Sequence, residues 1–197
     1  MSYHLYHTEA LILGSSPSGE GNKTILLFTR ELGLLSASAR SVREERSKLR
    51  YGLQDFSYSE VALIRGREYW RLTHASLQEN VFHELSYSRE ATRAVGRIFA
   101  LLRRLLAGEE KNEPLFVVVL EGLQFMRTKN DSNMVSGVEI VLVLRILYLL
   151  GYLAPRGEFD LFLSQSSLWD ESIISNALLF RTLAVSKINQ SIKASQL

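Results

Sequence analysis

The sequence predicts an α+β protein, a small N-terminal β-barrel followed by an all-α domain. Up to about Ser76 the apolar and β-branched runs are short and broken by turn residues. From about Leu77 the apolar period lengthens to that of helices, and no Pro/Gly-rich linker intervenes. These observations set the domains at 1–77 and 78–197.

Five strands are expected: Thr8 to Gly14, Lys23 to Arg30, Gly33 to Arg40, Phe56 to Arg65 and Tyr69 to Ala75. Tight turns are expected at Glu31-Leu-Gly33 and Gly66-Arg-Glu68, and a flexible Gly/Ser/Pro loop ending in Lys23 joins the first two strands. Alternation is clearest in Ser57-Tyr-Ser-Glu-Val-Ala-Leu-Ile64 and in Tyr69-Trp-Arg-Leu-Thr73. Five short strands in this span fit a closed five-stranded barrel of the oligonucleotide/oligosaccharide-binding (OB) kind.

In the second half, Ala91 to Ala107 places Val95, Ile98, Phe99, Leu102 and Leu106 on one face of a helix that stops at Gly108. Asn112-Glu-Pro114 supplies a cap residue and an early proline for a second helix running to about Thr128. Asp131 or Ser132 caps an apolar helix that ends at Gly151 and forms the centre of the bundle. Gly151 to Asp170 reads as a loop with room for a short turn, because Pro155, Gly157 and the serines at 164, 166 and 167 break any period. One last helix is expected from Glu171 to Ser191.

At 197 residues and 46% hydrophobic content the chain can bury a substantial core. It has no cysteine, which excludes disulfides and thiolate zinc sites. Met1 to His7 lacks the basic and apolar regions of a signal peptide, and a cytoplasmic address is expected. The stretch from Met134 to Leu153 is long and apolar, but Glu139 and Arg145 lie inside it; a buried helix is the reading that fits. Six positions apart, those two residues face opposite sides and reach separate partners.

Catalysis finds no support in the motifs. Gly14 to Thr24 resembles a phosphate-binding P-loop only superficially, because Glu20 stands where the lysine belongs and the residues after Thr24 read as a strand, not a helix. His4 and His7 are the only pair near metal spacing and have no third ligand, and no Gly-x-Ser-x-Gly elbow occurs. No enzyme activity and no cofactor are expected.

Charge is more informative. The whole chain carries a formal net charge of +2, yet Arg40 to Arg50 holds Arg40, Arg43, Arg46, Lys48 and Arg50 against Glu44 and Glu45. In isolation such a run reads as a solvated loop whose acids neutralise their neighbours. Its position between strands three and four of a barrel, with Lys23 and the aromatics Tyr51, Phe56, Tyr58, Tyr69 and Trp70 nearby, points instead to a groove that tracks a phosphate backbone. At least half of those aromatics are expected to pack the barrel. The candidate nucleic-acid-binding residues are Lys23, Arg40, Arg43, Arg46, Lys48 and Arg50.

At these positions the chain resembles the bacterial RecO family of recombination mediators. Glu9-Ala-Leu-Ile-Leu-Gly14-Ser, Gly19-Glu20, Lys23 and Leu27-Phe-Thr-Arg-Glu-Leu-Gly-Leu-Leu35 carry the resemblance, followed by Ala39-Arg40, Ser47-Lys-Leu-Arg50 and Leu53-Gln54-x-Phe56. Glu139 to Tyr152 resembles the family's central helix, and Ile192-Lys193-Ala-Ser195 its ending. The resemblance implies an N-terminal OB barrel, a shortened helical domain without the zinc site of some members, and no enzyme activity. It further implies binding of single- and double-stranded DNA, annealing of complementary strands, and RecA loading with RecR and the C-terminal tail of the single-stranded-DNA-binding protein. Ser16 and Ser18 replace a basic residue and an aromatic, and Ala37-Ser38 replaces a Lys-Gly pair, so contact through those spots is not expected. These departures favour a rival reading, a protein adaptor that keeps the fold without holding DNA.

Overall fold

The computed structural model describes residues 4–129, 131–154, 157–163 and 169–194. The chain forms two compact units, Met1–Glu84 with Leu106–Glu113, and Leu85–Leu105 with Pro114–Leu197.

The first unit is built on β1 (Leu5–Ser18), β2 (Asn22–Thr29), β3 (Gly33–Ala39), β4 (Ser57–Arg65) and β5 (Trp70–Asn80), with a single helical turn, α1 (Val81–Glu84), after the last strand. The sheet runs β1-β2-β3-β5-β4 and closes where β4 pairs with β1. All neighbours are antiparallel except β3 and β5, which meet in parallel through Ala37, Ser38, Trp70 and Arg71. Period-two alternation sends Ala10 and Ile12, Ile25 and Leu27, Leu35, Ala37 and Ala39, Val61 and Leu63, and Trp70 and Leu72 into one core. A bulge between Ile12 and Gly14, and others along the β4 and β5 pairing, bend the strands as closure requires.

The strands differ in length from expectation, and the differences have causes. β1 does not stop at Gly14. Past the bulge, Ser15 to Ser18 pair with Ile25 to Asn22, so the expected flexible loop is mostly ladder and only Gly19, Glu20 and Gly21 turn the chain. Small polar residues are tolerated in a strand where the ladder satisfies their backbone groups and no core face is required. Phe56 lies outside β4 at φ 68°, and β5 runs on to Asn80. The turn after β2 is as expected: Gly33 adopts φ +72°, and Thr29 Oγ1 accepts from Leu32 N at 3.0 Å while donating to the Gly33 carbonyl at 2.9 Å. Leu106–Glu113 folds against this unit. Leu34 N donates to the Gly108 carbonyl at 3.1 Å, and Glu110 backbone approaches Gly33 too closely for any side chain there.

The second unit contains α2 (Arg89–Leu105), α3 (Glu113–Arg127), α4 (Ser132–Leu149), a 3-10 turn (Gly157–Phe159), α5 (Asp160–Leu163), α6 (Glu171–Leu179) and α7 (Arg181–Ala194). Ser88 Oγ accepts from Ala91 N at 3.2 Å and starts α2; Asp131 accepts from Met134 N at 3.0 Å and starts α4. From Val135 to Leu147, α4 is buried on nearly every side except at Ser136 and Glu139, and Gly137 lets Ile174 of α6 come into contact with its backbone. By length and composition α4 could cross a membrane, but it is the core of this unit.

Glu139 and Arg145 point apart as their spacing demands. Arg97 of α2 donates twice to the Glu139 carboxylate, at 2.5 and 2.6 Å, whereas Arg145, only 4% exposed, donates to the Phe162 carbonyl at 2.8 Å and lies over the Trp169 ring. The expected single last helix is two, broken at Phe180, and the short turn allowed in the loop after Gly151 is α5. Phe162 and Leu163 explain the latter: both are buried, and packing favours a helical turn that sequence period does not announce. Pro155, the serines at 164, 166 and 167, and Ser195 lie outside the described residues.

Candidate nucleic-acid interface

The segment between β3 and β4 is a chain of consecutive turns. Glu44 N bonds the Ser41 carbonyl, Ser47 N that of Glu44, Arg50 N that of Ser47, and Leu53 N that of Leu49. Two apolar side chains, Val42 and Leu53, drop from it into the barrel core at 4% and 2% exposure. Burying each contributes about 1.5 to 3 kcal/mol, which holds the loop to the barrel. Ser41 N also donates to Asn22 Oδ1 at 2.8 Å, Arg43 N to the Gly21 carbonyl at 3.0 Å, and Ser59 Oγ to the Gly52 carbonyl at 2.7 Å. Gly52 lies so close to Ala75 backbone that a side chain would not fit.

On this scaffold Arg40, Arg43, Arg46, Lys48 and Arg50 are all exposed, and Lys23, half-buried on β2, projects beside them. Lys23, Arg43 and Arg50 line one open cleft floored by Val42 and Leu53; Arg40, Arg46 and Lys48 lie outside its lining. Lys23 Nζ donates to Ser15 Oγ at 3.3 Å and Arg43 to the Gly19 carbonyl at 3.4 Å. Among the described residues none of the six is paired with a carboxylate, and neither Glu44 nor Glu45 forms an ion pair. Lys23 and Thr24 lie within β2, where no helix N-terminus is available to hold a triphosphate.

Of the aromatics expected near the run, Tyr51 and Tyr69 are exposed, at 67% and 53%. Three others have structural work. Trp70 is buried, with its indole nitrogen bonded to Glu109 at 2.9 Å; Phe56 stacks on Phe82; and the Tyr58 hydroxyl donates to the Glu9 carboxylate.

That last contact belongs to an ionic network. Arg30 bridges Glu9 at 2.6 Å and Glu113 at 2.9 Å, and Lys111 bridges Glu113 at 3.2 Å and Glu31 at 2.6 Å. Partial burial pushes the Glu9 carboxyl up, but the Tyr58 hydroxyl and Arg30 more than offset it and hold it below the usual range. Burial and the Glu9 charge push the Tyr58 phenol well above its ordinary value. Lys111 and Arg30 together lower Glu113.

A second basic surface was not among the expected sites. The hairpin joining β4 to β5 forms an open groove lined by Arg65, Arg67, Tyr69 and Arg71. Arg65 is engaged with Glu109 at 3.0 Å and lies over the Trp70 ring, while Arg67 and Arg71 have no carboxylate partner among the described residues. The signal was present in Arg65-Gly-Arg-Glu-Tyr-Trp-Arg71, a turn with arginines on both arms beside an exposed aromatic. Barrels of this topology bind oligonucleotides through such loops.

Residues 1–81 match the family described as Recombination protein O N terminal. The chain is similar to the DNA repair protein RecO of Pelotomaculum thermopropionicum, 31% identical over 151 residues, which cover 75% of this chain and 56% of that protein. It is 32% identical to the DNA repair protein RecO of Desulfitobacterium hafniense over 155 residues, 77% of this chain and 54% of the relative. With the same-named protein of Heliobacterium modesticaldum identity reaches 40% over 76 residues, 39% of this chain and 28% of that protein. The chain thus spans a little over half the length of the first two curated relatives.

Proposed function

Because the N-terminal domain of this chain belongs to the RecO family, we propose that the protein is a non-enzymatic mediator of DNA repair and homologous recombination that acts in the cytoplasm. It binds single- and double-stranded DNA, anneals complementary strands, and assists RecA loading together with RecR. The C-terminal tail of the single-stranded-DNA-binding protein is its further partner.

One observation supports the DNA-binding step above the rest: six cations stand on or beside a turn-rich loop pinned by Val42 and Leu53, without carboxylate partners among the described residues. Each cation that meets a phosphate releases a condensed counterion, so binding is sequence-independent and weakens steeply with salt. Once their phosphates are neutralised on one surface, two strands no longer repel and can pair.

The test is fluorescence anisotropy of labelled single- and double-stranded oligonucleotides across a salt series. Salt-sensitive binding to unrelated sequences is the expected result. No binding even at low salt would leave the adaptor reading, which Ser16, Ser18 and Ala37 favour. Co-precipitation with RecR and with the acidic tail peptide tests the partners separately.

A further inference from the structure

We propose that the helical unit carries a second phosphate-backbone site, a track of arginines along α2 continued by Arg181 at the start of α7. It goes beyond the barrel surface while resting on the reading that the protein binds DNA.

Helix α2 holds Arg89, Arg93, Arg97, Arg103 and Arg104 against one acid, Glu90. At 3.6 residues per turn the five arginines fall within an arc of roughly 120°, opposite the buried face of Ala91, Val95, Ile98 and Leu102, and the row extends about 22 Å. An ordinary solvated helix intersperses acids so that opposite charges meet four residues apart. Here Arg89, Arg93 and Arg97 follow one another at that spacing, a repulsive arrangement that stability alone does not favour.

The surroundings give the row a shape. Arg93, Arg97 and Arg181 line a cleft with the hydrogen-bonding side chains Ser132, Asn133 and Ser136 from the first turns of α4, and the carboxylates Glu90 and Glu139 line it too. Arg97 is committed to Glu139, but neither Arg93 nor Arg181 has a carboxylate partner among the described residues. Helix α7 has no acidic residue between Arg181 and Ala194. Among the described residues Val135 is the only apolar one in the lining. An acidic peptide is held by a local cluster of arginines, whereas a row of arginines extending about 22 Å matches the repeating charge of a phosphate backbone. The track therefore fits a nucleic-acid strand in preference to an acidic peptide.

The experiment compares the wild-type chain with R93Q/R104Q/R181Q and with the charge-preserving R93K/R104K/R181K, using one labelled single-stranded oligonucleotide over a salt series. Arg97 is left intact because of its bond to Glu139. Three lost contacts at about 0.7 each should flatten the salt slope of the glutamine variant by about two units, and the lysine variant should keep most of it. Annealing of two complementary strands should slow in the glutamine variant even at concentrations where one strand remains bound. If helical circular dichroism is lost, R93Q alone carries the test, with an expected change of about 0.7.

A wild-type slope and affinity in the glutamine variant would overturn the proposal. So would a polyglutamate peptide that binds the wild type and not the glutamine variant while DNA binding is unchanged. Loss confined to variants of the barrel loop would sink the second site but leave the function standing. A wild-type protein that binds no DNA would remove both.

Discussion

The indole Nε1–H of Trp70 donates to Glu109 at 2.9 Å, so a buried tryptophan of the barrel is satisfied by a residue from the segment between two helices. The same carboxylate holds Arg65 at 3.0 Å, and Arg65 lies over the Trp70 ring. Glu109→Ala would leave the buried indole without its acceptor. A loss of about 1 to 3 kcal/mol is expected in a denaturant melt, with Glu109→Gln retaining most of the stability. Equal melts for the alanine variant and the wild type would show that solvent replaces the bond freely.

Acid should weaken the first unit through Glu9 and Glu113. Both carboxyls are held below their ordinary values, so their contribution to stability is complete above the unfolded-state pKa of about 4.3 and is lost as pH falls through the lowered folded values. Arg30→Met removes the cation both share, and its acid limb should be shallower than the wild type's. Tyr58 acts with the opposite sign: its raised phenol contributes fully below about pH 10 and loses that contribution as pH rises further. Stability measured against pH in both proteins checks each limb.

Charge reversal in the basic loop should act on all sequences alike. Arg43→Glu, Lys48→Glu and Arg50→Glu together should reduce the single-strand salt slope by about two units, three contacts at roughly 0.7 each. The side chains are exposed and the loop is held by Val42 and Leu53, so the melt should move by no more than about 0.5 kcal/mol per site. A folded variant with unchanged affinity would assign the loop to solvent.

Base stacking offers an independent readout on the β4 to β5 hairpin. Tyr69→Ala should weaken single-strand binding by about 1 to 3 kcal/mol while leaving the salt slope unaltered, because an aromatic face releases no counterion. Double-stranded DNA, whose bases are already stacked, should be affected little. Unchanged single-strand affinity would remove Tyr69 from the interface.

Leu142 is fully buried on α4, and Leu142→Ala should destabilise the helical unit by about 2 to 5 kcal/mol. A loss under about 0.5 kcal/mol would be incompatible with α4 as the packed centre of that unit.

Elements with an uninterrupted local signal were legible in the chain. Alternation placed β4, periodic apolar residues placed α2, and Asp131 and Gly151 bracketed α4, because a strand or helix with one buried face writes its period into the sequence. The opposed directions of Glu139 and Arg145 followed from helix geometry alone. The basic run and its cations were visible as composition.

Other features depended on residues distant in sequence. Ser15 to Ser18 read as a loop because small polar residues have little strand propensity, yet the pairing partners from Asn22 to Ile25 make them a ladder. At least half of the aromatics near the basic run were expected to be structural, and it is Glu109 and Glu9, distant in sequence, that put Trp70 and Tyr58 among them. Lys23 joins Arg43 and Arg50 only because β2 runs beside the loop that follows β3, and Arg181 reaches the cleft of Arg93 only because α7 and α2 both pack on α4. The sequence by itself determined where periodic faces and charges lie along the chain. Which of those charges share a surface, and which aromatics remain exposed, only the tertiary structure decided, because long-range pairing and burial carry no local period from which to read them.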